Sequence, residues 1–123
     1  MYNKKIQELF DNQKHVGEMK DADACGQTLN SPCGDAMKIF IKVEDGKIVD
    51  AKFKTYGCVA AIVSSEALCE AVIGKTLEEA KKLKGEDIIE DLGGLPQLKR
   101  HCAALCTEAL QNAIKEYEEK HKQ

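Results

Sequence analysis

Residues 36–56 read AMKIFIKVEDGKIVDAKFKTY, and the period of this stretch decides the fold. Met37, Ile39, Ile41 and Val43 alternate with Lys38, Lys42 and Glu44, and only Phe40 interrupts the polar row. Further on, Val49, Ala51 and Phe53 alternate with Asp50, Lys52 and Lys54. Residues two apart share a face of a strand, so each run predicts a half-buried strand. Glu44-Asp45-Gly46 between them is a hairpin signal. A two-residue loop at Asp45-Gly46 would set Ile41 against Asp50 and mix the faces. A three-residue loop ending in a left-handed Gly46 sets Ile41 against Val49 and Ile39 against Ala51. The second register matches apolar to apolar, so a type I turn with a glycine bulge is expected.

Helical signals flank this hairpin. Ile6, Leu9 and Phe10 predict a short helix over 2–13. Residues 14–35 are rich in Gly, Asp, Asn and Ser and predict a long loop, with a short strand around Cys25–Leu29. Residues 59–73 are strongly apolar and predict a helix that Gly74 terminates. Thr76 opens another helix, with Glu79 at the capping-box position. Residues 86–92 predict a short helix broken by Gly93-Gly94, and a last helix is expected from Leu95-Pro96 to about Tyr117. The order is helix, strands, then helices. It predicts an α+β fold, a small antiparallel sheet of about three strands covered on one face by helices.

The chain has 123 residues, the length of one domain, so 1–123 is read as a single domain. A hydrophobic share of 43% beside 32% charged is that of an ordinary soluble globular protein. No apolar run approaches the roughly 18 residues needed to span a bilayer, and no membrane role is expected. The first residues lack a cleavable apolar leader, which points to a cytoplasmic setting. Net charge is −3 without a dense basic stripe, so nucleic acid is not an expected partner.

Six cysteines in a reducing compartment read as thiols, metal ligands or catalytic groups rather than bridges. Three are marked out by their neighbours. Cys33 stands in Cys33-Gly34-Asp35 at the end of the loop, Cys58 follows Tyr56-Gly57 at the end of a strand, and Cys102 follows His101 in the last helix. In an α+β domain these positions can converge at one edge of the sheet. Gly34 permits close backbone approach, and Cys33 and Asp35, two apart, can reach one ion. Three thiolates suit iron–sulfur clusters or zinc. A carboxylate is a harder and poorer partner for cluster iron, so Asp35 in place of a fourth cysteine makes a cluster easier to dismantle. His101 is either an alternative ligand or a proton partner for the Cys102 thiol. Cys69 reads as core packing. Cys106, one turn beyond Cys102, reads as a buried thiol, with a spare ligand or a sulfur relay as the alternative. Cys25 in the loop is an auxiliary thiol or a bystander.

At these residues the chain resembles the IscU/NifU N-terminal family of iron–sulfur cluster assembly scaffolds. The similarity is carried by Tyr2 through Asn12, Val16-Gly17, Cys33-Gly34-Asp35, Glu44-Asp45-Gly46, Lys54-Thr55-Tyr56-Gly57-Cys58, Ser64-Ser65, and Leu95-Pro96 with Lys99 and His101-Cys102. The resemblance implies a cluster site of Cys33, Asp35, Cys58, His101 and Cys102. It implies sulfur delivered as persulfide by a cysteine desulfurase, with Cys102 a favoured acceptor and Lys99 nearby. It also implies a ferredoxin-like electron donor, a labile [2Fe-2S] cluster, and transfer of that cluster to apo iron–sulfur acceptor proteins. Tyr2 would seal a subunit interface or the site, and a homodimer is left open. Three departures stand out. Val59-Ala60 replaces the family's Gly-Ser after the middle cysteine, and proline is shifted by one before Cys33. Leu95-Pro96-Gln97-Leu98-Lys99 departs from the chaperone-binding pattern, which weakens the case for a dedicated Hsp70-type chaperone. No insertion separates the middle and last cysteines, which favours the IscU branch over the zinc-binding SufU branch.

An assembly scaffold and carrier, not an enzyme in the turnover sense, is therefore the expected function. A zinc-bound sulfurtransferase of the SufU type using the same ligands is the alternative, and a plain zinc-stabilised interaction domain is a third.

Overall fold

The hairpin carries its apolar row inward. Met37, Ile39, Ile41 and Val43 are all buried, while Lys38 and Lys42 face the other way and are partly exposed. The computed structural model describes residues 3–30, 35–56, 59–95, 97 and 100–120, with only the backbone at 29, 30, 35 and 56. Its elements in chain order are α1 (Lys4–Asp11), β1 (Ala24–Asn30), β2 (Asp35–Glu44), β3 (Lys47–Tyr56), α2 (Val59–Val72), α3 (Leu77–Lys81), α4 (Gly85–Asp91) and α5 (Arg100–Lys120). The three strands form one antiparallel sheet in the order β1-β2-β3. Helices pack on one face of it, so the architecture is the expected α+β layer pair.

The hairpin register differs from the expected one. Glu44 pairs with Lys47 and Val43 with Ile48, so the loop is the two-residue Asp45-Gly46. Both loop residues have positive φ, 54° and 76°, as a type I′ turn requires. The register then shifts, and Ile41 pairs with Ala51 and Ile39 with Phe53. The shift expels Val49, which is 41% exposed, and seats Ile48, which is fully buried. The reason lies outside the hairpin. Ile48 donates its N–H to Lys75 O at 2.8 Å and accepts from Gly74 N at 2.7 Å. The link between α2 and α3 thus pairs with this end of β3, and a bulge rephases the strand beyond it.

α2 is buried nearly all round, from Ala60 through Val72, as a central helix must be. The sheet covers one side of it, and α1, α4 and α5 cover the others. Asn3 caps α1 by accepting from Ile6 N at 2.9 Å and ties it to α4 by donating to Leu92 O at 2.8 Å. Phe10, expected on the packed face of this helix, is 37% exposed. Thr76 and Glu79 form the expected capping box of α3. α5 is described from Arg100 onward, and Leu95, expected to open it, is not helical. Gly93 and Gly94 at φ +77° and +108° turn the chain first, and Leu95 is buried before the helix begins. α5 lies directly on β1. A Cβ at Gly26 would stand 1.9 Å from Ala109 O, so only glycine permits this approach.

The outer face of the sheet carries Lys38, Lys42, Lys52 and Lys54 around Phe40. The lysine stems explain why an aromatic in the polar row is only 8% exposed; Lys38 Nζ lies 5.7 Å from its ring centre. The segment after α1 crosses beside this face. Its Glu18 pairs with Lys54 at 3.0 Å and its Asp21 with Lys42 at 2.6 Å. Among the described residues no helix is long and apolar enough to cross a membrane.

Candidate metal-cluster site

Three described flanks meet at one end of the sheet. Asp35 opens β2 opposite Asn30, the last residue of β1. Ala36, the next residue, pairs with Tyr56, the last residue of β3. The chain on either side of 31–34 and the chain entering 57–58 therefore share one edge. α5 reaches the same end, because Thr28 Oγ1 donates to Leu105 O at 3.2 Å and Thr28 pairs with Met37. α2 closes the group. The Thr55 and Ser65 hydroxyls are 2.9 Å apart, and the Cys106 thiol lies 3.7 Å from Ser64 O.

Cys33, Cys58, Lys99 and Tyr2 lie outside the described residues, and for Asp35 the backbone alone is described. His101 and Cys102 are described in full. Cys102 is fully buried in the first turn of α5, and His101 beside it is exposed. Their Sγ and Nε2 atoms are 3.7 Å apart. That spacing lets the imidazole exchange a proton with the thiol, or lets both atoms turn to one metal ion.

The other cysteines sort by burial. Cys106 is fully buried, and its thiol donates to Ala103 O at 3.1 Å. Burial pushes its pKa far above the ordinary thiol value, with the nearby Cys102 adding to the shift. Cys69 in α2 is raised well above the ordinary value for the same leading reason, with Glu66 next. Both are protonated core thiols rather than nucleophiles. Cys25 on β1 is half-buried, and burial again raises its pKa. No disulfide joins any of these four. Ser64 Oγ, in the α2–α5 contact, is buried with no hydrogen-bond partner among the described residues.

One polar cluster escaped the sequence reading altogether. His15 and Glu66, 51 residues apart, meet through ring and carboxylate. No spacing rule joins a loop histidine to a glutamate in the middle of an apolar helix.

Comparison with known proteins follows the same line. The family model of the NifU-like N terminal domain matches residues 1–123. The chain is 47% identical over 117 residues to the "Iron-sulfur cluster assembly scaffold protein IscU 1" of Archaeoglobus fulgidus, spanning 95% of this chain and 76% of that one. It is 44% identical over 124 residues to the "Iron-sulfur cluster assembly enzyme IscU" of Drosophila melanogaster, spanning 98% and 80%. Among solved structures it is similar to a proposed SUF-system cluster assembly scaffold from Fervidobacterium islandicum AW-1. The TM-score there is 0.74 at 25% identity, covering 92% of this chain and 96% of that one.

Proposed function

Because this chain belongs to the NifU-like N-terminal domain family, we propose that it is a scaffold on which iron–sulfur clusters are built and from which they are released. The whole of 1–123 acts as one scaffold domain. Sulfur arrives from a cysteine desulfurase as persulfide, with Cys102 as acceptor. Persulfide sulfur is at the zero oxidation level, so each atom takes two electrons to become sulfide; ferrous iron gives one electron per atom as it becomes ferric in the cluster, and a ferredoxin-like donor supplies the rest. Iron joins the sulfide, and the resulting [2Fe-2S] cluster rests on Cys33, Cys58 and Cys102 with Asp35 or His101 as fourth ligand. Apo iron–sulfur proteins then take the cluster. The cluster is cargo, so the chain is a carrier that is loaded and emptied rather than an enzyme. A cytoplasmic setting, which keeps thiols reduced, suits cysteines used as cluster ligands.

The observation that carries this reading is the pairing of Ala36 with Tyr56 beside the first turns of α5. It supports an approach of the chain around Cys33 and Cys58 to the buried Cys102 and its imidazole neighbour. His101 is positioned to take the Cys102 proton, leaving the thiolate that both persulfide transfer and metal ligation require. Lys99, three residues before Cys102 in the sequence, would assist. The likeness to a SUF-system scaffold keeps one second reading in play, a zinc-bound sulfurtransferase on the same ligands.

Anaerobic reconstitution with ferrous iron, a desulfurase, free cysteine and a reduced ferredoxin or dithiothreitol as electron donor tests the proposal. Visible charge-transfer bands should develop, fall by at least about tenfold in Cys102→Ser, and give way to the spectrum of holo-ferredoxin as an apo-ferredoxin acceptor is added. A colourless protein that keeps one tightly bound zinc and never gains those bands would favour the sulfurtransferase instead.

A further inference from the structure

Away from the thiols, one cluster combines an imidazole with two carboxylates. Glu66 lies in the middle of α2 and is fully buried. Its Oε1 accepts the backbone N–H of Lys14 at 2.8 Å and of His15 at 3.0 Å, and its Oε2 meets His15 Nδ1. Glu70 follows one turn later on the same helix and is exposed. A ring nitrogen of His15 and one oxygen from each glutamate all lie within 4.8 Å of one another. We propose that His15, Glu66 and Glu70 form a second metal site, separate from the cysteines, for a hard first-row divalent cation of the Mn2+ or Fe2+ class.

Four observations converge on it. The donor set, one nitrogen and two carboxylates, suits Mn2+ and Fe2+ and lacks the sulfur that the cysteine site offers. The Glu66 carboxylate is held in place by two backbone N–H groups, as an oriented ligand should be. Two carboxylates four residues apart on a helix repel each other, and a divalent cation between them cancels that repulsion. Ligand atoms around one ion at about 2.1 Å stand roughly 3 to 3.5 Å apart, so closure needs only a modest swing of the exposed Glu70 side chain. A surface cleft of about 400 Å³ lined by Lys5, Glu8, Leu9, Asn12, Lys14 and Glu70 opens beside the third ligand, Glu70, while Glu66 stays buried beneath it. Water entering there would fill the remaining coordination positions. Lys5 and Lys14 in the same cleft oppose a cation, so binding is moderate rather than tight. The ion would tie α2 to the segment after α1. The assignment stands on these residues alone and does not depend on the scaffold reading.

Titration of the metal-free full-length protein with Mn2+ tests it, reading the free-ion signal by electron paramagnetic resonance. The expected result is one Mn2+ bound per chain. Glu70→Gln should weaken it by at least about tenfold, while Cys102→Ser changes it less than about twofold. Because Glu70 is exposed, the metal-free melting temperature of Glu70→Gln should match that of the parent. Added Mn2+ should raise the melting temperature of the parent but not that of the variant. Mn2+ that stays free up to about 1 mM, a weak-binding ceiling, would overturn the assignment. So would binding that survives Glu70→Gln unchanged, or binding that is lost with Cys102→Ser.

Discussion

Cys102 and Cys106 stand one turn apart on α5, and both are buried, yet their surroundings give them different chemistry. Cys102 has an imidazole nitrogen at 3.7 Å. Among the described residues Cys106 meets carbonyl oxygens, those of Ser64 and Ala103, and burial keeps its proton on. Cys106→Ala should therefore retain cluster assembly and cost about 1 kcal/mol of stability from the small void, measured by denaturant melts. Loss of assembly with the fold intact would move Cys106 into the site. Asp35 carries the opposite expectation. If its carboxylate is what keeps the cluster easy to release, Asp35→Ala should hold a longer-lived cluster that transfers poorly, followed by visible absorption with and without an acceptor. Faster loss in the variant would remove the exchange role from Asp35. The sequence marks such residues by their immediate neighbours, Gly34 beside Asp35 and His101 beside Cys102. Nothing local marks Glu66, whose partners Lys14 and His15 stand in a different stretch of chain.

Among the elements, period was readable and register was not. Two-residue alternation places Met37, Ile39, Ile41, Ala51 and Phe53 on the core face, and all five are buried. Ile48 and Val49 are adjacent apolar residues, and the pattern alone does not say which turns inward. The choice is made by Lys75 and Gly74, whose backbones bond Ile48 from beyond α2. Ile48→Ala should accordingly cost about 3 kcal/mol, and Val49→Thr should stay within about 0.5 kcal/mol, in matched denaturant melts. The reverse order would restore the three-residue loop. The start of α5 was misplaced for a related reason. Leu95-Pro96 has the form of a helix opening, but the positive φ of Gly94 and the burial of Leu95 keep Leu95 out of the helix. The closeness of α5 to β1 yields the severest expectation. Gly26→Ala forces a methyl group into the Ala109 carbonyl and the Ala113 amide, both backbone atoms that have no rotamer to yield. A loss of about 3 kcal/mol, a fall of roughly 10 °C in melting temperature, is expected from calorimetry.

For the molecule as a whole, the helices occupy one face of the sheet and leave the other to lysines partly neutralised by Glu18 and Asp21. The core serves to bring chain segments from three separate stretches to one edge. Asp35, Tyr56 and the first turns of α5 are far apart in sequence and adjacent in the fold. That is why no short motif of paired cysteines announces the site, and why the reading depends on each cysteine's own neighbours. The central claim is that three thiolates and one weaker donor hold a cluster meant to be given away. Mössbauer spectroscopy on protein reconstituted with 57Fe tests it most directly. The account predicts the diamagnetic doublets of a [2Fe-2S] cluster, with two inequivalent irons because one of them has a non-sulfur ligand, and their loss in Cys102→Ser. Iron appearing only as isolated high-spin ions, with zinc filling the thiol site, would contradict it.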